Sequence, residues 1–487
     1  MNPRRSSHAV VSIAAGTLLL VFLLLLVRGG SQTASAEASV LFVKQDGSGS
    51  ACSRSNPCAL EEALSQADGD DTILLAGGRY TGTGDAVVSL GESVALLGGW
   101  DGTNAQVPLR DPEIYPTTLD GERQRRVICI DSGITVTLDG LVIASGNGTE
   151  PPHAGRGGGI YAGGASLILR DSVVSNNVSY SGTDSGRGGG IYLSSAPLVV
   201  ISDSTIISNT GNAAGPGKGG GLAIYEGGAT IQGNTFRGNV AGATDTSQGG
   251  GLYLERGAAT VVRNQIEANR TSPAGEGHGG GLVAQIVDVT LRGNTLTGNC
   301  SDHGTVWLDG CAVANVVNNV VADNCDGVHA VGNETYPLTG RLINNTIARN
   351  EVHAVQLGFR GLAHASLHLV NNIIVSHTTA IYVPEDPTNA VTATHTLLYG
   401  NGTDMSGTRI TSTNEITGSA PRFRNPAAGD YHLLPDSPAI DVGVPVPWLT
   451  LDLDGEARPA GGGYDVGADE YHWRWVYLPL IASSAEG

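Results

Sequence analysis

In the repeated pattern G-x-G-G-G, whose first glycine is replaced by Ser247 in the fourth copy, the variable position holds Arg156, Arg187, Lys218, Gln248 and His278 in successive copies. Five residues beyond three of these positions stand Tyr161, Tyr192 and Tyr253. Guanidinium groups suit carboxylates and sulfates, and aromatic faces suit sugar rings. If the copies stack in space, they present cations and rings at a fixed interval, with only glycines between. The expected result is a shallow groove with outward tyrosines, suited to an anionic polysaccharide. The same row makes His278 one member of a ladder rather than a singled-out catalyst.

Two further groups carry chemistry. Counted back from the next repeated asparagine, His303, Asp326 and His353 fall at equivalent points of successive repeats. A His-Asp-His column could move protons or bind a metal weakly, against the plainer reading of a solvated ladder. Asp452, Asp454 and Asp465 lie in the run DLDGEARP…GYDVG. D-x-D-G turns can gather hard oxygen ligands for Ca2+, although an EF-hand spacing is absent and turn formation or pairing with Arg458 is the plainer role.

These side chains need a scaffold that repeats. The glycine triplets begin at Gly157, Gly188, Gly219, Gly249 and Gly279, at an almost constant interval. A second pattern, N-x-x-x-x-N, runs out of phase: Ser172/Asn177, Ser204/Asn209, Asn234/Asn239, Asn264/Asn269 and Asn294/Asn299. It continues as Asn319/Asn324, Asn345/Asn350 and Asn372/His377, at shorter spacings that begin where the triplets stop. Three short strands per unit cannot enclose a core alone, but stacked in register they do. The expected fold is therefore all-β, a parallel β-helix with rungs about 4.8 Å apart. Stacked asparagine amides would bond along its axis, and asparagine also tolerates left-handed turns. About nine rungs run from Gly140 to Asn372, and Thr72–Leu75 and Val94–Leu97 imply more upstream. Ile160, Ile191, Leu222, Leu252, Leu282 and Trp307 should point inward in one column. The helically spaced Ala59, Leu60, Ala63, Leu64 and Ala67 predict an amphipathic cap on the N-terminal end. Past Ser419 the repeat is lost and Pro and Asp increase, so that segment is expected to cover the other end.

Composition agrees. Of 487 residues 71 are glycine, and charged residues make up only 15%. Lysine occurs only as Lys44 and Lys218. The net charge of −19 repels phosphate backbones, so nucleic acid is not an expected partner. Arg4 and Arg5 precede an apolar stretch, Ala9 to Val27, followed by Ala34-Ser35-Ala36. That is the pattern of a cleaved secretory signal over residues 1–36, with an uncleaved membrane anchor as the alternative. Removing it takes three arginines and no acid, so the mature charge is −19 − 3 = −22. A secreted or cell-surface location permits disulfides. Cys52 and Cys58 bracket a short turn and are expected to pair. Cys300 and Cys325 each follow a ladder asparagine and stand one local rung apart, so they are expected to pair too, with Cys311 as the competing partner. Cys129 reads as a small buried hydrophobe.

The run TTLDGERQRRVICIDSGITVTLDGLVIASGN, followed by repeated GGGIY, resembles the right-handed parallel β-helix proteins of the pectin-lyase-like superfamily and the polymorphic-outer-membrane-protein repeats. The later runs APRFRNPAAGDYHLLPDSPAIDVG and DLDGEARPAGGGYDVGADEY are similar to the choice-of-anchor Q domain of exported surface proteins. WVYLPLIASS resembles short tails on some exported bacterial proteins. The resemblance implies a right-handed β-helix over 37–418, a choice-of-anchor Q-like region over 419–471 and a tail over 472–487. It also raises polysaccharide lyase or glycoside hydrolase activity as an alternative to a binding or structural role. Polygalacturonase-like enzymes carry G-H-G, present here as Gly277-His278-Gly279, but also R-I-K, which does not occur. The expected role is a non-enzymatic one, with acidic polysaccharide or cell-envelope components as partners and no cofactor, weak Ca2+ binding at the aspartate turn being the alternative.

Overall fold

The computed structural model describes residues 38–244, 246–272, 277–359, 361 and 363–473. The residues expected to form an export signal, 1–36, and nearly all of the tail lie outside them. Among the described residues no helix is long and apolar enough to cross a membrane.

Nearly all the regular structure is parallel strand. Each full rung runs through three strands, exemplified by Ile160–Gly163, Ser166–Arg170 and Val173–Ser175. The third strands form one 12-stranded sheet from Gly78–Tyr80 to Leu397–Tyr399. The first and second strands form a 22-stranded sheet, because in four rungs they run on as one bent strand, as in Leu252–Val262. The chain is a right-handed parallel β-helix. Alternation puts every second residue into a lumen filled by Val, Ile and Leu.

The first-strand register aligns Ile160, Ile191, Leu222, Leu252 and Leu282, all fully buried. The next member is Val306, not Trp307. Between His303 and its inward strand position that rung is a residue shorter than the others. It also lacks the glycine triplet on which the alignment was built, so Trp307 moves to the outward side.

Two asparagine ladders run inside the turns. Asn177, Asn209, Asn239, Asn269, Asn299, Asn324 and Asn350 pass Nδ2–H to the next Oδ1 at 2.9–3.1 Å. Asn234, Asn264, Asn294, Asn319, Asn345 and Asn372 do the same at 2.9–3.0 Å. The left-handed conformation belongs to the preceding residue, such as Asn176, Ser208 or Asn318, rather than to the ladder asparagine.

The helix Leu60–Gln66 forms and buries Leu60 and Ala63 in the main core. Cys52–Cys58 and Cys300–Cys325 are disulfides, the second joining adjacent rungs with Cα atoms 4.9 Å apart. Cys311 is buried and free. Cys129 is free but half-exposed, aligned with Tyr161 outside the lumen rather than within it.

Residues after 419 do not continue the stack, and they lie against its side. Asn318, Asn344 and Asn371, each at a turn, donate to the carbonyls of Leu451, Asp465 and Val444. Tyr431 donates to Asp323 at 2.7 Å. Leu433, Tyr431, Ala439 and Val466 pack on outward residues of the third sheet, including Val320, Ala348 and Ile373. Those outward positions are apolar, and this segment is what covers them.

Candidate functional site

The expected cation column exists. Isolated bridges and short pairings align Arg156, Arg187, Lys218, Gln248, His278 and His303 across successive rungs. Beneath it the outward positions of the first strands align Cys129, Tyr161, Tyr192, Ala223, Tyr253, Val283 and Trp307. These rings do face away from the lumen, and they form a separate apolar cluster.

They are not exposed, however. Tyr161, Tyr192 and Tyr253 are 8%, 3% and 0% accessible. Each is packed against neighbouring rings and under a cation. Gly188 has φ +60°, and a Cβ on Gly189 would collide with the backbone of Thr210, so the triplet leaves room for backbone to cross it closely.

What reaches the surface of the cation layer is Arg156, Arg187 and Lys218. Arg126, Arg156, Arg187 and Lys218 sit over Tyr161, Tyr192, Tyr225 and Tyr253 at 5.5, 5.7, 5.1 and 4.6 Å from the ring centroids. Each of the last three cations thus covers a ring in the rung after its own. Ring stacking continues beneath, with Tyr161–Tyr192, Tyr192–Tyr225 and Tyr225–Tyr253 centroids 5.7, 5.6 and 5.4 Å apart. Tyr225 fills the gap left by Ala223 and was not visible to the repeat alignment, because it stands two residues off the tyrosine column. Arg126 was missed as well, since its rung lacks the glycine motif. It is 2% accessible and donates to the carbonyls of His153, Arg156 and Gly157, so it anchors the ladder. Burial pushes its guanidinium down, as it does the Lys218 ammonium. His153 stacks on Tyr161 at 3.8 Å and is held below its ordinary value by burial and by Arg126 and Arg156.

Arg156 is exposed and Arg187 half-buried, and no described carboxylate pairs with either. Lys218 is less free. It donates to Tyr253 Oη at 2.8 Å and lies 4.0 Å from Glu255. Burial, with Tyr225 and Glu255 beside it, raises the Tyr253 phenol well above its ordinary value, so this buried hydroxyl stays protonated.

Further along the same face the rings become imidazoles. His278 stacks on Trp307 at 4.2 Å, His303 on Phe359 at 4.2 Å, and His353 on Tyr382 at 5.2 Å. The expected His303–Asp326–His353 column does not form as such. Gly304, not His303, contacts Asp326, through an N–H to Oδ2 at 3.2 Å. The second imidazole at Asp326 is His329, with Nε2 2.7 Å from Oδ2, and His353 Nδ1 is 3.7 Å from Oδ1. His329 lies three residues on in the same rung, and the search for equivalent repeat positions could not find it. Burial pushes the Asp326 carboxyl up, but the two imidazoles beside it and the His353 N–H outweigh that and hold it well below the usual carboxylate range.

The aspartate turn is also divided differently. Asp452 accepts backbone N–H groups from Asp454, Glu456 and Glu470, and Asp465 accepts those of Asp441 and Tyr471. Both are committed to holding the loop. Asp454 instead meets His432 Nε2 at 2.7 Å, and Asp469 lies close by. Arg458 pairs with Glu470 at 2.8 Å, both fully buried.

A family model described as "Right handed beta helix region" matches residues 123–300 and 217–358. No curated protein matches the chain. Among solved structures, it is similar to pectate lyase Pel9A at 12% identity and TM-score 0.37, over 90% of this chain and 97% of that one. It is also similar to the Azotobacter vinelandii mannuronan C-5 epimerase AlgE6 A-module at 14% identity and TM-score 0.32, over 77% and 96%. A third is XylC in complex with xylose, at 10% identity and TM-score 0.35, over 88% and 99%. With its two parallel sheets, its paired amide ladders and the matched repeat region, the chain is identified as a right-handed parallel β-helix protein.

Proposed function

We propose that this is an exported, cell-surface β-helix protein that binds an acidic polysaccharide along the Arg156–Arg187–Lys218 ladder. The observation that carries the reading is the two-layer build of that face. Two guanidinium groups without carboxylate partners are held at rung spacing over buried tyrosines, in a chain of net charge −19. Self-pairing would be the ordinary fate of arginine in so acidic a protein. Cation–π support, worth about 0.5–2 kcal/mol each, orients the groups without neutralising them. The tyrosines act as pedestals here and do not touch the sugar. A rung repeat of about 4.8 Å is close to the length of one unit of an extended glycan, so successive carboxylates can meet successive cations.

Replacing both Arg156 and Arg187 by Ser tests this. Binding to polygalacturonate or alginate at low salt should weaken at least about tenfold, roughly 1.4 kcal/mol. Binding by the wild type should itself fade with added salt, as expected for exposed charges. Equal binding by the double variant, or none by the wild type, would overturn the reading.

One observation favours the enzymatic alternative. An open groove of about 550 Å3 is lined by Arg110, Glu113, Asp139, Asp171 and Asp203. Burial, then Asp139 and Asp203, raises the Asp171 carboxyl, the direction a general acid needs. Release of new reducing or unsaturated ends from acidic polysaccharide, abolished by Asp171→Asn, would establish it.

A further inference from the structure

We infer that Asp326, His329 and His353 form a binding site for a divalent transition cation of the zinc type. Asp326 and His329 belong to one rung and His353 to the next, so the ion would pin two rungs together.

Three observations converge. One ligand atom from each residue lies within 4.8 Å of the other two. The carboxylate is fixed before any ion arrives, since Gly304, Gly327 and His353 all donate backbone N–H groups to it at 2.9–3.2 Å. Oδ1 accepts two of those bonds and Oδ2 only one, so Oδ2, which faces His329 Nε2 at 2.7 Å, keeps the freer lone pair. The imidazoles are left wanting. His329 is 1% accessible, and its only polar neighbour among the described residues is the Asp326 carboxylate at Nε2, so its buried Nδ1 has no hydrogen-bond partner there; Nδ1 of His353, 3.7 Å from Asp326, makes no hydrogen bond either. Leaving such buried groups unmade costs about 1–3 kcal/mol apiece, so a partner for them is expected.

The chemistry of the donor set selects the ion. Imidazole and carboxylate suit Zn2+, Cu2+ or Ni2+, whereas Ca2+ and Mg2+ take oxygen ligands. Tetrahedral Zn2+ with ligands at about 2.0–2.2 Å holds its donors roughly 3.3 Å apart. The His353–Asp326 separation of 3.7 Å is close to that, and the His329–Asp326 separation of 2.7 Å would open by about half an ångström. Stacking on Tyr382 holds the His353 ring, which keeps a fifth of its side chain in solvent and marks the entry side. Asparagine ladders lie in the turns and not on this face, so the ion would add to the cross-rung contacts of Asp326 and to the adjacent Cys300–Cys325 disulfide.

The experiment is a titration of chelator-stripped mature protein with Co2+, read by its visible absorption, and with Zn2+ by competition. One saturable equivalent is expected. Outer-shell partners alone change metal affinity about 10–100-fold, so His353→Gln and Asp326→Asn should each cost at least that much. His353 is the preferred position because it is partly exposed, and circular dichroism identifies variants that keep the fold. No saturable Co2+ binding by the wild type would overturn the site. So would undiminished affinity in a folded His353→Gln protein, since the ion would then be held elsewhere. If His353→Gln fails to fold, Asp326→Asn decides by the same criterion, and loss of fold in both with one-equivalent binding in the wild type supports the tie.

Discussion

Rungs between Gly157 and Gly281 and rungs from Val306 onward share one interior and differ in what covers it. Both asparagine ladders run through the two regions without a change in bond length. Outside, the longer rungs carry a tyrosine stack with Arg and Lys over it. The shorter rungs carry histidines on that face, and their third-sheet face is covered by residues from far along the chain. The comparison teaches that the repeat sets the stack, while function and cover are written in whatever each rung adds to it.

If the interior is common, damage to it should be equally severe in both regions. Asn239 accepts from Asn209 N and Nδ2 and donates to Ile206 O and Asn269 Oδ1. Asn239→Ala should cost about 4 kcal/mol, from lost bonds and buried groups left unmade. Asn319→Ala, in the short-rung region, should cost about the same. Denaturant melts of the two variants check this, and a mild effect in either would break the claim of a shared interior.

The cover should respond differently in the two regions. Gly189→Ala forces a Cβ against the Thr210 backbone and should cost about 3 kcal/mol, whereas Gly69→Ala, with open space around it, should be near neutral. Thermal midpoints of the pair measure the backbone crossing's demand for glycine directly.

The side cover after 419 should be pH-dependent. A hydrogen bond to Asp454, opposed by burial and aided by Asp430, raises His432 to about 9. A raised histidine stabilises fully below its unfolded value of about 6.5, and that contribution is lost as pH climbs to about 9. Burial raises Asp465 to about 7, and a raised carboxyl likewise favours the fold at low pH, its contribution fading between about 4 and 7. Proteolysis of this segment should therefore accelerate from about pH 6 to about pH 9.5. His432→Gln should flatten the upper part of that rise, and an unchanged profile would remove His432 from the account.

The smallest effect belongs to the cation layer. Arg156 is exposed and bonded mainly through its ring partner, so Arg156→Gln should change stability by about 0.5–1 kcal/mol or less. A larger loss would mean that the ladder is structural and not reserved for a ligand.

The sequence was most legible where repetition was strictest. Asparagine spacing was enough to find the rungs and the Cys300–Cys325 pairing, and the glycine motif placed the inward column as far as Leu282. It failed at Trp307 because the approach to that strand is a residue shorter, and such a slip turns every side chain to the other face. The burial of the tyrosines was hidden for a related reason. Alternation says which way a residue points, but not that a cation of the preceding rung and the neighbouring rings will cover it. His329, Tyr225 and Arg126 stand off the repeat positions and carry no periodic signal. The path of the segment after 419 depends on apolar third-sheet positions such as Ile373 and Val375, which read in sequence as ordinary core.

The central claim is that successive cations meet successive acidic sugar units. Calorimetry with a length series of oligogalacturonates tests it most directly. Affinity should climb with each added unit up to about three, matching one unit per rung over the rungs of Arg156, Arg187 and Lys218, and then level off. Arg187→Gln should break the climb in its middle. Affinity that is independent of chain length, or that is the same for neutral chains, would contradict the account.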